Sequence, residues 1–303
     1  MSEVIHMLSL SKFLKENQYT NAELSELEGK LFFEGERAHR SRVDFYVMLA
    51  LSTIIATGGV IADSPATVIG AMIIAPLMTP IVATTAALMM GNPLRAWSSA
   101  FHVIAGMMCS IAIAAAIGHL GAHILDFNSN TQITARVAPR MLDLMIALAA
   151  GTAGAFAISR KEIADSIPGV AISIALVPPL CVVGISLTAG EWSDAWGALL
   201  LFMTNLLSIL LAGGVVFALL GLGAAATGKL SYVNKKRAYR IIAIGVLLVA
   251  IPLSITSVKV GRDKIAQLNM INIVNEWLHN QQTDYVIKSV FVTGSKDTLE
   301  ISG

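Results

Sequence analysis

Long runs of apolar residues constrain the fold of this chain more than any other feature. Seven stretches of at least 19 residues contain no lysine, and acidic residues occur in them only near an end, as at Asp44 and Asp143. About 20 apolar residues are enough to cross a bilayer as an α-helix. The composition agrees, because only 14% of the 303 residues are charged, against about 25% in an average soluble domain. The sequence therefore predicts an all-α polytopic membrane protein with about seven transmembrane helices.

The seven spans are predicted to form a transmembrane domain over residues 44–257. Within it, repeat one covers 44–120, repeat two covers 141–221, and an additional span lies at 239–257. The individual spans are predicted at 44–62, 66–90, 96–120, 141–159, 167–189, 195–221 and 239–257.

A polar N-terminal segment, residues 1–43, precedes the spans and is predicted to be helical. Its Leu24, Leu27 and Leu31 recur at helical spacing, which indicates one apolar face. That face either packs against the rest of the protein or lies on the membrane surface.

A second polar segment, residues 258–303, follows the last span and is predicted to be a small α/β unit. Its pattern indicates a helix at about 262–281 and two strands, Tyr285–Thr293 and Thr298–Ile301. Fewer than about 60 residues rarely fold alone, so this segment is predicted to act as a small lid or as part of a longer domain.

The tetrapeptide Ile-Ala-Asp-Ser occurs twice, at residues 61–64 and 163–166. A shift of 99 positions extends the match beyond these copies, which are themselves 102 positions apart, so one gap of three residues is needed. The residues aligned by this shift include Pro80 and Pro179, Gly91 and Gly190, and Trp97 and Trp196. The sequence thus predicts two repeats of three spans each.

Because each repeat has an odd number of spans, the second repeat enters the membrane with the opposite orientation. Many secondary transporters are built from such inverted-topology repeats, with the binding site between the halves near the membrane midplane. The flanking charges agree with this arrangement. The link that holds Asp63 has no basic residue, whereas Asp165 follows Arg160 and Lys161.

Proline interrupts the middle of one span in each repeat. Pro76 and Pro80 lie in the second span, with Thr79 beside Pro80, and Pro178 and Pro179 lie in the fifth span. Matching positions in the two repeats predict either simple kinks or functional breaks that line a pathway.

A break of this kind affects the backbone carbonyls that precede it. Each proline lacks an amide donor and displaces the carbonyl four residues earlier. The carbonyls expected to be free are those of Met72, Pro76, Ile174 and Ala175. A free carbonyl must face protein or a watery cavity, because contact with lipid costs several kcal/mol.

The repeated Asp-Ser pairs, Asp63-Ser64 and Asp165-Ser166, each precede a predicted helix. In the structural interpretation Ser64 caps a helix that begins at Pro65, and Asp165 or Ser166 caps the fifth span. In the functional interpretation the acidic side chain at the mouth of a broken helix binds a cation or carries a proton. The two interpretations are compatible.

Asn205 is an amide deep inside an apolar run, beside Thr204 and Ser208. It is predicted to make a hydrogen bond between helices or to line the pathway. The two cysteines, Cys109 and Cys181, lie in apolar runs and are predicted to be packing residues.

No nucleotide-binding loop, zinc motif, nucleophile elbow or basic nucleic-acid patch occurs in the sequence. We therefore expect no enzymatic activity, no cofactor, no bound metal and no nucleic-acid partner.

The basic residues that flank the spans predict the orientation of the chain. Twelve fall on the side of the N-terminus and five on the other side. The excess of basic residues marks the cytoplasmic side, which predicts a multi-pass protein of the inner membrane with a cytoplasmic N-terminus. Helices rich in glycine and alanine allow close contact and favour a homo-oligomer.

The stretch from Gly58 to Ile81, GGVIADSPATVIGAMIIAPLMTPI, resembles the core signature of a bacterial and archaeal membrane family. This family is catalogued as domain-of-unknown-function family 389 and is also called the hydrophobic-domain family. Residues Ile174–Val183, with Val-Pro-Pro-Leu, are similar to its second block. The resemblance covers roughly residues 40–220. It implies a multi-span membrane domain joined to a variable soluble segment, and it implies no substrate.

These features predict a membrane transporter or channel for a small solute or ion, with its pathway between the inverted repeats at the proline-broken helices. Carbonyls and aspartates favour a cation, whereas helix starts after Ser64 and Ser166 favour an anion or a carboxylate. The alternative function is a non-transporting membrane scaffold or sensor whose soluble termini bind a partner.

Overall fold

The computed structural model describes residues 19, 21–35, 38–121, 129–139, 141–159, 176–222, 225, 290–291 and 300–301. Within these residues the chain forms nine helices and two very short strands. The helices are α1 (Asn21–Leu31), α2 (Ala38–Ile61), α3 (Pro65–Ile74), α4 (Met78–Met89), α5 (Pro93–Gly121), α6 (Thr131–Val137), α7 (Met141–Ile158), α8 (Val177–Ala189) and α9 (Trp192–Leu219). The strands are β1 (Val290–Phe291) and β2 (Glu300–Ile301).

Three helices, α2, α5 and α9, are each long and apolar enough to cross a membrane. The bent pairs α3–α4 and α6–α7 raise the number to five if each pair counts as one span. The structure therefore describes three to five of the seven predicted spans. Only residues 176–189 of the predicted fifth span are described, and the span at 239–257 lies outside the described residues.

Helix α2 shows why the chain belongs in a membrane. Its outer face carries large apolar side chains that no other part of the described chain covers, including Val47, Leu51 and Ile54. Its inner face buries the hydroxyls of Ser52, Thr53 and Thr57. Polar groups inside and apolar groups outside reverse the pattern of a soluble helix. This arrangement is stable when lipid covers the outer face.

The second span is broken at residues 75–77, as the prolines predict. Helix α3 ends at Ile74, α4 begins at Met78, and the two axes are bent by 46°. The carbonyls of Met72 and Pro76 are nevertheless not free, which corrects the expectation from the sequence. They accept hydrogen bonds from the amides of Ala75 (3.3 Å) and Thr79 (3.2 Å).

The carbonyl left over by this exchange belongs to Ala71. In a regular helix it accepts from the Ala75 amide, which here turns to Met72 instead. The Ser52 hydroxyl of α2 donates to the Ala71 carbonyl at 2.9 Å. A neighbouring helix therefore satisfies the broken backbone, as membrane segments require.

The two ends of the helix bundle are identified by polar contacts. At one end, here the Arg95 end, the guanidinium of Arg95 pairs with Glu34, just before α2, at 2.9 and 2.7 Å, and with Glu28 of α1 at 3.1 Å. At the other end, the Asp63 end, the Asp63 carboxylate accepts hydrogen bonds from the start of α6. Helix α2 runs from the Arg95 end to the Asp63 end.

Helices α5 and α9 run in opposite directions between these ends. Helix α5 begins beside Arg95, and Gly118 near its end packs on Ile185 of α8. Helix α9 begins at the Asp63 end, where Gly197 lies against the Val137 backbone of α6. The end of α9 returns to the N-terminal segment, where the Tyr19 amide donates to the Leu220 carbonyl at 3.3 Å.

The same backbone turn precedes both α5 and α9. Gly91 and Gly190 have φ angles of 69° and 82°, which L side chains rarely adopt. The amides that follow, of Asn92 and Glu191, donate to the carbonyls of Ala87 and Ser186, five residues earlier. This is the helix-ending turn that a left-handed glycine permits. All of these pairs are 99 positions apart.

The terminal segments are described only in part. Leu27 and Leu31 of α1 are each 3% exposed and belong to the main core, so the predicted apolar stripe packs on the rest of the chain. Strands β1 and β2 pair antiparallel, Val290 opposite Ile301. They fall inside the two predicted strands, and the helix predicted at 262–281 lies outside the described residues.

Candidate functional site

A cavity of about 270 Å³ lies among α6, α7, α8 and α9. It is polar for a site surrounded by apolar helices, because a guanidinium, a carboxylate and two amides contribute to its wall. Its lining residues are Gln132, Ala135, Arg136, Asp143, Ile146, Pro179, Leu201 and Asn205. Asn205 is buried and lies halfway along α9, so the cavity extends well into the bundle.

Helix α6 carries Gln132 and Arg136 into this cavity, and its first residues are fixed from two sides. Asn130 is its N-cap, with a side-chain oxygen that accepts from the Ile133 amide at 3.0 Å. The Asn130 amide group also donates to the Val60 carbonyl at the end of α2, at 2.8 Å. This single side chain therefore caps α6 and attaches it to α2.

Asp63 provides the second attachment. Its Oδ1 accepts from the Thr131 hydroxyl at 2.7 Å and from the Gln132 amide at 3.0 Å. These bonds favour the ionised carboxylate, so the Thr131 hydroxyl above all lowers the pKa of Asp63 below its ordinary value. The side chain acts as a cap for α6, a helix 68 positions away in the chain.

The link around Asp63 also begins its own helix. Ser64 is the N-cap of α3, accepting from the Thr67 amide at 3.4 Å, and Pro65 is the first helical residue. The structural interpretation of Ser64 is therefore confirmed. Asp63 itself has a φ of 48°, a left-handed conformation that aspartate and asparagine tolerate better than most residues.

Arg136 is the cation of the cavity, and it is more than half buried. One guanidinium nitrogen, Nη1, donates to the carbonyl of Gln132 at 2.5 Å and to its side-chain Oε1 at 3.2 Å. Both acceptors are neutral. Within the described part of the chain, no ion pair joins Arg136 to a carboxylate, and its Nε and Nη2 make no hydrogen bond to the protein.

Pro178 and Pro179 occupy the first turn of α8, which begins at Val177. The first-turn amides of a helix have no intrahelical partner, so proline removes no hydrogen bond there. Both prolines are buried, and Pro179 reaches the cavity wall. The residues before 176, including Ile174 and Ala175 with their carbonyls, lie outside the described residues.

The ten predicted pathway residues divide into four groups. Pro179 and Asn205 line the cavity, and Pro178 is buried beside it. Asp63 and Ser64 lie at the Asp63 end, where Asp63 holds α6, while Pro76, Thr79 and Pro80 form the α3–α4 break and do not line this cavity. Asp165 and Ser166 lie outside the described residues.

Sequence reasoning missed Gln132, Arg136 and Asp143 as site residues. They sit at or beside a short polar link, and Arg136 is one of the five flanking basic residues on the side opposite the N-terminus. A usable signal exists: Asn130 begins a helical turn, and Gln132 and Arg136 are four residues apart on one face. Among the described residues, no three His, Cys, Asp or Glu side chains are grouped in a way that could hold a metal ion.

Comparison with known proteins finds a family match for part of the chain. Residues 72–211 match the family described as "Domain of unknown function (DUF389)", which confirms the resemblance drawn from the two motifs. All of the cavity-lining residues fall inside that match. The uncharacterized protein MJ0678 of Methanocaldococcus jannaschii is 34% identical over 205 residues, 68% of this chain and 63% of the relative. The alignment thus spans less than two thirds of that relative, and no solved structure gives a significant match.

Proposed function

We propose that the protein, whose residues 72–211 match the family described as "Domain of unknown function (DUF389)", is a membrane transporter or channel for a small solute or ion. The observation that carries the proposal is the polar cavity among α6, α7, α8 and α9. Ionisable and amide side chains inside a membrane domain are costly, and where they occur they commonly mark a solute or ion pathway. The proposal includes no enzymatic step and no cofactor.

The proposed pathway lies between two inverted repeats. Two observations support this: the glycine turns before α5 and α9 are 99 positions apart, and the helices that follow them run in opposite directions. An inverted repeat places its binding site where the two halves meet. All of the residues that line the cavity come from repeat two or from the link before it, so the cavity would form the repeat-two side of that site.

The exposed tryptophans support a membrane position for both ends of the bundle. Trp97 lies near the start of α5 at the Arg95 end, and Trp196 near the start of α9 at the Asp63 end. Tryptophan is enriched at both membrane–water interfaces. We place the Arg95 end in the cytoplasm of an inner-membrane protein, because twelve of the flanking basic residues fall on that side against five on the other. We also expect a homo-oligomer.

The rival proposal, a non-transporting scaffold or sensor, differs in whether water reaches the cavity. The test uses two cysteines on α9 in a background that carries Cys109→Ala and Cys181→Ala. Leu201→Cys faces the cavity, whereas Val216→Cys packs in the core. Both native side chains are 8% exposed, so they are matched in burial.

We expect a water-soluble thiol reagent to modify Leu201→Cys and to leave Val216→Cys unmodified. The same protein in liposomes should conduct or carry at least one solute from a panel of potassium, sodium, chloride, nitrate, acetate and phosphate, measured against empty liposomes. Equal protection of both cysteines together with no flux above that of empty liposomes would favour the scaffold.

A further inference from the structure

The charge of the proposed solute can be inferred from the groups that line the cavity. Arg136 donates two hydrogen bonds to neutral oxygens of Gln132, both from Nη1. Its Nε and Nη2 have no hydrogen-bond acceptor among the described residues. A largely buried guanidinium without a carboxylate is costly unless another anion reaches it. Its planar donors suit carboxylate, phosphate and other oxyanions.

Asp143 also lines the cavity, and its charge opposes that of Arg136. Asp143 lies in the first turn of α7, where the helix dipole stabilises a carboxylate. It also has an interaction of its own within the protein. Its charge is therefore stabilised in part within the protein, whereas the hydrogen bonds that Arg136 makes to described residues both go to neutral oxygens.

The helix dipole of α8 favours the same sign. The first turn of α8 contributes Pro179 to the wall, so the positive end of that helix dipole lies at the cavity. The volume of about 270 Å³ is below the range of about 300–1,000 Å³ for drug-sized ligands, which points to a small solute.

We propose that the cavity binds small anions, with the Arg136 guanidinium as the group that holds their negative charge. This assignment rests on the proposed function, because it names the class of solute that the same cavity takes. Oxyanions, halides and small carboxylates share the required negative charge, and the experiment tests each class with a different salt.

The test measures charge selectivity at the cavity without a known substrate. Leu201→Cys, in the background lacking Cys109 and Cys181, is treated with two methanethiosulfonates of similar size, one sulfonate-bearing and one trimethylammonium-bearing. The ratio of the two modification rates is compared with and without Arg136→Gln. We expect the ratio of anionic to cationic reagent to fall about tenfold when the positive charge is removed. Arg136→Lys keeps the charge and should keep most of the ratio.

A second measurement uses the protein with Arg136 intact and so does not depend on how a variant folds. Modification of Leu201→Cys is followed in sodium chloride, nitrate, acetate or phosphate and in sodium gluconate of equal ionic strength. At least one of the small anions should slow the reaction, by about tenfold at ten times its Kd. The slowing should disappear in Arg136→Gln protein that elutes and unfolds as the parent does.

Each outcome decides the assignment. A rate ratio unaffected by Arg136→Gln, or equal rates in all five salts, would overturn it. Potassium flux in liposomes with no anion effect would overturn the anion assignment and leave transport standing. Anion protection without flux of any ion in the panel would leave the anion assignment standing and overturn transport.

Discussion

Asp63 shows how one side chain can be recognised in the sequence while its role depends on a distant partner. Its position before a proline-led helix is a local pattern, and the Ser64 cap next to it follows from the same pattern. Its hydrogen bonds go to Thr131 and Gln132, which no spacing rule connects to it. Local rules therefore predicted a helix start here, and only the three-dimensional structure showed which helix Asp63 itself caps.

We predict that Asp63 acts as a positioning residue for α6. Asp63→Ala removes the acceptor for both bonds, so it should lower the thermal stability of the purified protein and weaken flux, because Gln132 and Arg136 move with α6. Asp63→Asn keeps an oxygen acceptor and tolerates the left-handed φ, so it should lose much less of both. Thermal unfolding and liposome flux of the two variants check this. If Asp63→Asn abolished flux at unchanged stability, the charge itself would be functional.

The carboxylate of Asp63 also predicts a pH dependence. Its pKa is lowered in the folded protein from an ordinary value of 3.8, so folding favours the ionised form. Its stabilising contribution is complete above 3.8 and is lost as the pH falls below that value through the folded pKa. The difference in melting temperature between the parent and Asp63→Asn should therefore be constant near pH 6 and should shrink below pH 3.8. If the difference in melting temperature grew on acidification, the pKa of Asp63 could not be lowered by folding.

At the scale of helices, the sequence predicted where the chain breaks but not how the break is satisfied. Pro76 and Pro80 identify the end of α3 and the start of α4 because proline acts on its own backbone. The Ala71 carbonyl, which loses its helical donor at the break, accepts a hydrogen bond from Ser52 of another helix. The expectation of free carbonyls at Met72 and Pro76 was therefore wrong, because the amides of Ala75 and Thr79 turn to them, and the Ser52 hydroxyl of a packed neighbour takes up the carbonyl of Ala71.

The contact between α5 and α8 depends on the absence of a side chain at Gly184. A Cβ there would lie 2.6 Å from the Ile111 carbonyl oxygen and 2.7 Å from the Cβ of Ala114, so the helices would have to separate. We predict that Gly184→Ala destabilises the protein by about 1–3 kcal/mol. The matched control is Gly58→Ala, also within a helix but with no atom within 4 Å of the added carbon.

Gly58→Ala should stabilise the protein by about 0.5–1 kcal/mol, because alanine favours the helix more than glycine does. Reversible unfolding of both variants in mixed micelles gives the two changes in free energy. The packing interpretation fails if Gly184→Ala behaves like Gly58→Ala.

At the scale of the whole molecule, the apolar runs predicted a helical chain with several helices long enough to cross a membrane, but they did not predict the polar cavity. Three spans per repeat imply an inversion, and the structure places the starts of α5 and α9 at opposite ends. The cavity depends on α6, a seven-residue helix. This helix lies in a polar link between spans, where a search for apolar runs gives no signal. Short polar helices give weak periodic signals, so Gln132 and Arg136 were not among the predicted site residues.

The inversion predicts which side of the membrane each link faces. Ser64 follows α2 at the Asp63 end, and Asn92 precedes α5 at the Arg95 end. Glu191 is 99 positions after Asn92, and in an inverted repeat it must face the side of the membrane opposite to Asn92.

Single cysteines at Ser64 and Glu191 should therefore react with a membrane-impermeant thiol reagent from one side of intact vesicles, and cysteines at Asn92 and Ser166 from the other. Each variant carries Cys109→Ala and Cys181→Ala, and vesicles opened with detergent show that all four thiols are reactive. Because one end of α5 is fixed by Glu34 and one end of α9 by Val137, labelling of Asn92→Cys and Glu191→Cys from the same side is incompatible with two inverted halves crossing one bilayer.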